Sequence, residues 1–565
     1  MQVSGIEAFV RLLDQAGVPY IFGNPGTSEL PLNDLLVGRA RPQYVLGLQE
    51  VPVMAMADGY AMASGRVGVV NLHISPGLGN AMGMLYNAFR EGTPLLVTAG
   101  QQDRRLEFEE PILGSDLVRV AKPWTKWAAE VRRVEDMPSA VRRALQLATT
   151  PPTGPVFLSL PMDVQLARAE LDLAPAAKID TRVRPPLAAV QQAAKTLLAA
   201  ERPGILVGSR VLERDAVSEL VTVAEALGAA VISEPGTTHG RLGFPADHPL
   251  YAQGLPLWSP EVRARLAEFD VLLVVGMDLL RQYVYHEPAR AIPEHIKLVH
   301  LDEDAYQLGK NYPLAVGVLG DTKAALVDLG EALLRGQTPE GRKAAVARTE
   351  ALTTAHAQAR HELWQEIERQ RHLRPLTPLA FMGAMANVLP RDVALVEEAV
   401  TTTNTTFERL GVLRNTSGYF GHRGWGLGWG LGVAIGAKLA WPDRPVLALL
   451  GEGAAMYGIQ GLWSAAKYRV PVTFVIANNA QYQILKIGAA GLELPAAKTG
   501  KYLGLDLTGP EIDFVGLAKS LGVEARRISE PEELADAVAK SLAGDRPMLF
   551  DVPIERRVPG RLNYG

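Results

Sequence analysis

The sequence predicts an α/β protein built from three doubly wound parallel-sheet domains. Three observations lead there. Short apolar runs rich in β-branched residues alternate with helical patterns along the chain, and runs without strict polar alternation belong in sheets covered on both faces. The rhythm stops and restarts twice, at the Pro- and Ala-rich passage "LDLAPAAKIDTRVRPPL" (171–187) and at a long charged helical stretch. Finally, 565 residues exceed what one hydrophobic core organises.

The elements follow in order. The opening "MQVSGIEAFVRLLDQAG" meets Glu7, Arg11 and Asp14 before any long apolar segment, so it reads as an amphipathic helix and not as a secretion signal. "PYIFG", "YVLGLQ", "VGVVNLH", "PLLVTAG" and "GPVFLSLP" read as strands, with helices over 51–63 and 80–90 between them. They make a first domain over 1–180. A second, over 185–336, is carried by "GILVG", "AAVIS", "VLLVVG" and "IKLVHLD". Residues 337–374 have strong helix propensity and many charges, which predicts a connecting helix on the surface. The third domain, 375–565, contains "VALVEE", "PVLALLG", "VPVTFVIANN" and "PMLFDVP".

Composition narrows the partners. The formal net charge is -4 and no Lys/Arg block stands out, so nucleic acid and anionic membranes find no electrostatic foothold. No apolar run approaches the roughly 20 residues that span a bilayer. Zero cysteines exclude disulfides, thiolate nucleophiles and Cys-based zinc or iron–sulfur sites. The expectation is a cytoplasmic protein whose partner is a small molecule or another copy of the chain.

One stretch carries chemistry. "VLALLGEGAAMYG" sets Glu452 between two glycines at the end of an apolar strand, and "NN" at Asn478 and Asn479 ends the strand of the next βα unit. Ligands of open parallel sheets bind beyond the carboxyl ends of the strands. If the two strands are neighbours, Glu452 and Asn479 converge. A carboxylate, an amide oxygen and a backbone carbonyl form the hard oxygen set that Mg²⁺ takes, with phosphate and water completing an octahedron. Gly453 would admit a diphosphate to the backbone, and a helix expected to begin around Ala455 would point its N–H groups at the anion. From this strand alone, an acid capping the following helix is an equal reading; the downstream "NN" favours the clamp. The glycines of "GWGLGWGLGVAIGAKLA" (424–440) match dinucleotide spacing, but no strand precedes them and no acid follows at the required place. Close approach to a ligand or to a neighbouring helix explains them better.

Together, "GEG…NN" resembles the metal–diphosphate signature of thiamine diphosphate-dependent enzymes. "LGLQEVPVMAMADGYA" is similar to the segment that carries their catalytic glutamate, here Glu50. "FGNPGTSELP", "VVNLHISPGLGNAMG", "TAGQQ", "GPVFLSLP" and "LWSAAKYRVPVTFVIANN" resemble the benzoylformate decarboxylases among them. The resemblance implies pyrimidine-binding, central and diphosphate-binding domains, and a homotetramer, a dimer of dimers, with sites shared between subunits. It implies thiamine diphosphate with Mg²⁺, or Mn²⁺ or Ca²⁺ given a Glu where the signature has Asp. It implies a 2-keto acid decarboxylated to an aldehyde, with carboligation as a side reaction.

Residue by residue, the resemblance makes Glu50 the partner of the aminopyrimidine, His73 a proton carrier and Thr27 a hydrogen-bond donor to the substrate carboxylate. Tyr283 stands where the family has a second histidine, with His286 three residues on. Leu427 matches the residue that props the cofactor. Glu452, Asn479 and the carbonyl of Gln481 match the metal ligands, and Thr401, Thr402, Gly453, Ala454 and Ala455 the surroundings of the diphosphate. Trp425, Trp429, Ile484 and Leu485 would line an acyl pocket or serve as core. His422, Arg423 and Trp425 replace small residues and would narrow that pocket, with Arg423 holding a substrate carboxylate or forming a surface ion pair. Two rivals follow from the departures: an acetohydroxyacid synthase-type ligase, and a non-catalytic cofactor-binding homologue.

Overall fold

The computed structural model describes residues 2–177, 179–234, 240–281, 287 and 290–558. Three six-stranded sheets carry the chain. The first contains β1 (Tyr20–Gly23), β2 (Gln43–Leu46), β3 (Gly68–Leu72), β4 (Leu95–Gln101), β5 (Trp127–Glu130) and β6 (Val156–Pro161). Helix α1 (Glu50–Ser64) links β2 to β3, and α2 (Ile74–Glu91) links β3 to β4. Strand order is β2-β1-β3-β4-β6-β5, all parallel. A short antiparallel pair, Gln2–Ser4 with Arg168–Glu170, ties the start of the chain to the end of this unit.

The second sheet comprises β7 (Pro203–Val207), β8 (Ala230–Ser233), β9 (Tyr251–Gly254), β10 (Val271–Val275), β11 (Lys297–Asp302) and β12 (Val316–Leu319). Its order, β9-β8-β7-β10-β11-β12, reverses at β7, which places a crevice beyond the ends of β7 and β10. Helix α3 (Pro339–Gln370) then crosses to the third unit with only Ala345 and Ile367 buried, in keeping with its charged sequence.

The third sheet contains β13 (Ala394–Glu398), β14 (Tyr419–Phe420), β15 (Val446–Gly451), β16 (Thr473–Asn478), β17 (Glu524–Arg527) and β18 (Met548–Pro553). Its order, β14-β13-β15-β16-β18-β17, repeats that of the first sheet. The α/β class and parallel sheets read from the sequence are those observed.

The glycine-rich stretch 424–440 resolves into a loop followed by α4 (Trp429–Ala440), which lies along α1. A Cβ on Gly432 would stand 2.5 Å from the Cβ of Ala55, and one on Gly436 2.0 Å from the carbonyl oxygen of Met56. The glycines therefore serve close helix–helix contact between the first and third units. Trp429 is fully buried there, and its indole N–H donates to Asp58 Oδ2 at 2.7 Å. Burial raises the Asp58 carboxyl to about 6. Among the described residues no helix is long and apolar enough to cross a membrane.

Candidate active site

In the first sheet, β2, β1 and β3 are neighbours, and their carboxyl ends deliver Glu50, Thr27 and His73 to one edge. Glu50 opens α1 behind Gln49, whose side chain accepts the N–H of Val51 at 2.5 Å. Glu50 is 6% exposed, and its carboxylate accepts from Asn80 Nδ2 on α2 at 3.1 Å. Thr27 is exposed at the start of a 3₁₀ turn, Thr27–Glu29.

The centre of this edge is Glu29, a residue that sequence reasoning missed. It is buried, and its Oε1 accepts from Ser28 Oγ (2.9 Å), the Ile74 N–H (3.2 Å) and the Gly100 N–H (2.8 Å). Oε2 accepts from the Gly26 N–H at 3.0 Å and lies 2.9 Å from His73 Nδ1. A carboxylate only accepts, so Nδ1 carries a proton and Nε2 is left for the site. Gly26 is required: a Cβ on it would fall 1.8 Å from His73 Nδ1. Ile74, a β-branched residue, is held at φ +32° immediately after His73, a strained backbone that the Glu29 bond to its N–H helps to fix. The legible signal was the acid at the third position after Gly26, which reaches back to the Gly26 N–H as in a capping box.

In the third sheet, β13, β15 and β16 are neighbours, with Gly451 level with Ala477. Glu452 and Asn479 therefore leave one edge side by side. Glu452 begins α5 (Glu452–Gly458), so the helix starts three residues before the expected Ala455. The carboxylate is buried; Oε1 accepts the Gln481 N–H at 3.0 Å and Oε2 the Asn479 N–H at 3.4 Å. Asn479 Oδ1 also accepts from Gln481 N, at 3.1 Å. Burial raises the Glu452 carboxyl, and the N–H groups of Gln481 and Asn479 partly offset that. Gly453 faces the Tyr482 ring, 2.7 Å from where its Cβ would be. The Gln481 side chain is engaged with Lys486 Nζ, which donates to it at 2.8 Å and to Asp506 at 2.7 Å.

Thr401 and Thr402 lie in the short helix after β13, with Thr402 buried. The loop before α4 is tied to Asn87 at Gly426 and to Glu398 at Gly428. Leu427 is 38% exposed, and Trp425 and Ile484 pack together with Val400, Leu257 and Ile487 as one apolar cluster. Leu485 is half exposed and outside it, and Trp429 belongs to the core described above. His422 is buried against the Trp429 ring, with burial holding it down to about 4, so it does not narrow a pocket. Arg423 is not a surface residue: it is 5% exposed, and Glu234 and Asp278 lie 3.4 and 3.5 Å from its guanidinium. The reason is that its partners come from other units of the fold. Tyr283 and His286 lie outside the described residues.

Comparison with known proteins matches this arrangement over its length. Residues 3–113 fit the profile of the thiamine pyrophosphate enzyme N-terminal TPP binding domain, 190–329 the central domain and 400–552 the C-terminal TPP binding domain. The chain belongs to the thiamine diphosphate-dependent enzyme family. It is 36% identical to a benzoylformate decarboxylase of Pseudomonas aeruginosa over 98% of this chain and 99% of that one. It is 28% identical to a probable acetolactate synthase large subunit of Methanocaldococcus jannaschii over 98% and 92%. Among solved structures, the Rhodococcus jostii RHA1 thiamine diphosphate-dependent 4-hydroxybenzoylformate decarboxylase superposes with TM-score 0.85 at 31% identity, covering 99% of this chain and all of that one. A benzoylformate decarboxylase from Polynucleobacter necessarius gives TM-score 0.85 at 29% identity over 98% and 99%.

The third-sheet edge of this thiamine diphosphate-dependent enzyme fits a metal-bound diphosphate. Glu452 is a buried carboxylate with no cationic side chain in ion-pair range among the described residues. Among the described residues no group of three His, Cys, Asp or Glu gathers there either, and Glu452 stands beside amide and carbonyl oxygens. That donor set leaves positions for phosphate and water, as Mg²⁺ prefers.

Proposed function

We propose that the protein is a thiamine diphosphate- and divalent metal-dependent decarboxylase that converts a 2-keto acid with an apolar, benzoylformate-like side chain into an aldehyde. The observation that carries this reading is the pairing of two unlike edges on sheets of the same strand order. One edge presents Glu50, His73 and Thr27, and the other Glu452, Asn479 and Gln481. Thiamine diphosphate, when bound, supplies a nucleophilic carbon that adds to a keto group and takes up the electrons released with CO₂.

The chain's own residues supply the rest. Glu452, Asn479 and the Gln481 carbonyl would hold the metal, Mg²⁺ or a somewhat larger ion. Thr401, Thr402, Gly453, Ala454 and Ala455 would surround the diphosphate. Glu50, fixed by Asn80, would hold a proton at a ring nitrogen of the aminopyrimidine. His73 would exchange a proton with the substrate through Nε2, the nitrogen that Glu29 leaves available. Thr27 would donate to the substrate carboxylate. Trp425 and Ile484, beside Val400, would receive the apolar side chain.

The two edges would meet across copies of the chain. Phe108 and Ile112, on the segment after β4, are 102% and 82% exposed, and Leu503, near the Gln481–Asp506 bridge, is 99% exposed. Exposed apolar groups beside both edges support association of copies of the chain, with sites that draw on two of them. Calorimetric titration with thiamine diphosphate, with and without Mg²⁺, tests the reading: saturable, metal-dependent binding is expected, and its absence would overturn it.

A further inference from the structure

The central sheet carries its strand reversal at β7, and the crevice beyond the ends of β7 and β10 is where open α/β sheets take ligands. In this chain the third unit reaches into it. The Arg423 guanidinium lies between Glu234, which follows β8, and Asp278, which follows β10. Arg210 adds to the cluster, donating to Asp302 at 2.7 Å and to Asp278 at 3.0 Å. The space is tight: a Cβ on Gly208 would meet Glu234 Oε1 at 2.4 Å and the Gly276 carbonyl at 2.3 Å. Arg241 runs the opposite way, from the central unit onto the carbonyls of Met62, Ser417 and Tyr419.

Helix α2 joins this cluster to the candidate site. Residues 77, 80, 87 and 91 fall within about 80° of arc at 3.6 residues per turn, so they share one face. Gly77 and Asn80 lie against Glu50. Fully buried Asn87 brackets Gly426, donating to its carbonyl at 2.8 Å and accepting its N–H at 2.9 Å. Glu91 accepts the N–H of Arg423. Beyond the loop, Glu398 accepts the N–H groups of Gly428, Trp429 and Gly430. Leu427 and Trp425 therefore stand on a loop pinned at 423, 426 and 428.

We propose that Arg423 is a positioning residue: seated in the crevice of the central unit, it sets the conformation of 424–428 and so the places of Leu427 and Trp425 in the site. This rests on the thiamine diphosphate reading above. It differs from both roles expected of Arg423 from the sequence, because the guanidinium is buried beside Glu234 and Asp278 and serves the loop.

The test compares the full-length unsubstituted chain with Arg423→Lys, which keeps the charge but loses the planar fork, and with Asn87→Ala, which carries no charge change and remains informative if Arg423→Lys folds poorly. The readouts are hydrogen exchange of the peptide covering 421–430 without cofactor, calorimetric affinity for thiamine diphosphate with Mg²⁺, and the near-ultraviolet circular dichroism of the bound cofactor. Loss of the close Arg423 ion-pair geometry, or of the paired Asn87 hydrogen bonds, should speed exchange about tenfold or more. Affinity should weaken and the dichroism band should shrink with it. Unchanged exchange, or faster exchange with affinity and dichroism unaltered, overturns the proposal. If the unsubstituted chain fails to bind thiamine diphosphate, the parent reading fails instead, and the exchange result still reports on the clasp.

Discussion

Replacing Glu29 by Gln keeps the shape of the first-sheet edge and removes one charge. The carboxylate gathers five donors: Gly26 N, Ser28 Oγ, Ile74 N, Gly100 N and His73 Nδ1. A glutamine must turn its NH₂ to one side. On the Oε1 side it would confront two backbone N–H groups; on the Oε2 side it meets only that of Gly26, and His73 must then accept at Nδ1. The second orientation costs less and leaves His73 in the other tautomer, with Nε2 carrying the proton. A lost charge-assisted bond is worth about 1.5–3 kcal/mol, which corresponds to roughly a ten- to hundredfold loss in kcat. The unpaired Gly26 N–H should lower folding stability by about 1–3 kcal/mol. Steady-state kinetics as a function of pH, with chemical denaturation of the same preparation, checks both. A variant that is less stable but keeps its kcat and pH profile would refute the role assigned to Glu29.

Other outcomes follow from the same geometry. Glu50→Gln should lower turnover about a hundredfold or more while the protein stays folded, since acid–base contributions of this kind have that size; full turnover would remove Glu50 from the mechanism. Glu452→Asp withdraws the metal acid by one methylene, so the order of activation by Mg²⁺, Mn²⁺ and Ca²⁺ should differ between it and the unsubstituted chain; identical orders would remove Glu452 from the metal site. Burial raises Glu397 to about 7, and burial together with the facing Glu397 raises Glu408 to about 8, against an ordinary 4.5. The folded state then keeps protons that the unfolded state releases, so the stability contributed by these two groups is full below about pH 4.5 and is lost as pH rises through 7 and 8. Glu408→Gln should flatten that decline in a thermal-melting series, and an unchanged slope would contradict it.

The sheets were legible because their strands are continuous apolar runs, a pattern that burial on both faces dictates. Glu452 and Asn479 were legible as a pair because consecutive βα units place their strand ends side by side, which the register of Gly451 against Ala477 bears out. The start of α5 was less so: Gly453 weakens the helix signal, yet the strand end already fixes Glu452 as the first helical residue. Glu29 was hidden because an acid beside a turn ordinarily faces solvent, and its donors arrive from the ends of three strands. Arg423 was hidden for the same reason on a larger scale: Glu91, Glu234 and Asp278 belong to two other units, and no local pattern announces them. Trp429 reads alike as pocket or core, and only its burial between α4 and α1, with its indole N–H on Asp58, decides for core.

CO₂ release is the most direct measurement of decarboxylation of a 2-keto acid by this protein. The purified full-length protein, supplied with thiamine diphosphate and Mg²⁺ or Mn²⁺, would be assayed against a panel of aryl and alkyl 2-keto acids with aldehyde and acyloin products identified. Stoichiometric CO₂ and aldehyde are expected from at least one aryl or bulky apolar member of the panel. CO₂ from none of them would contradict it, as would acyloin in place of aldehyde as the main product.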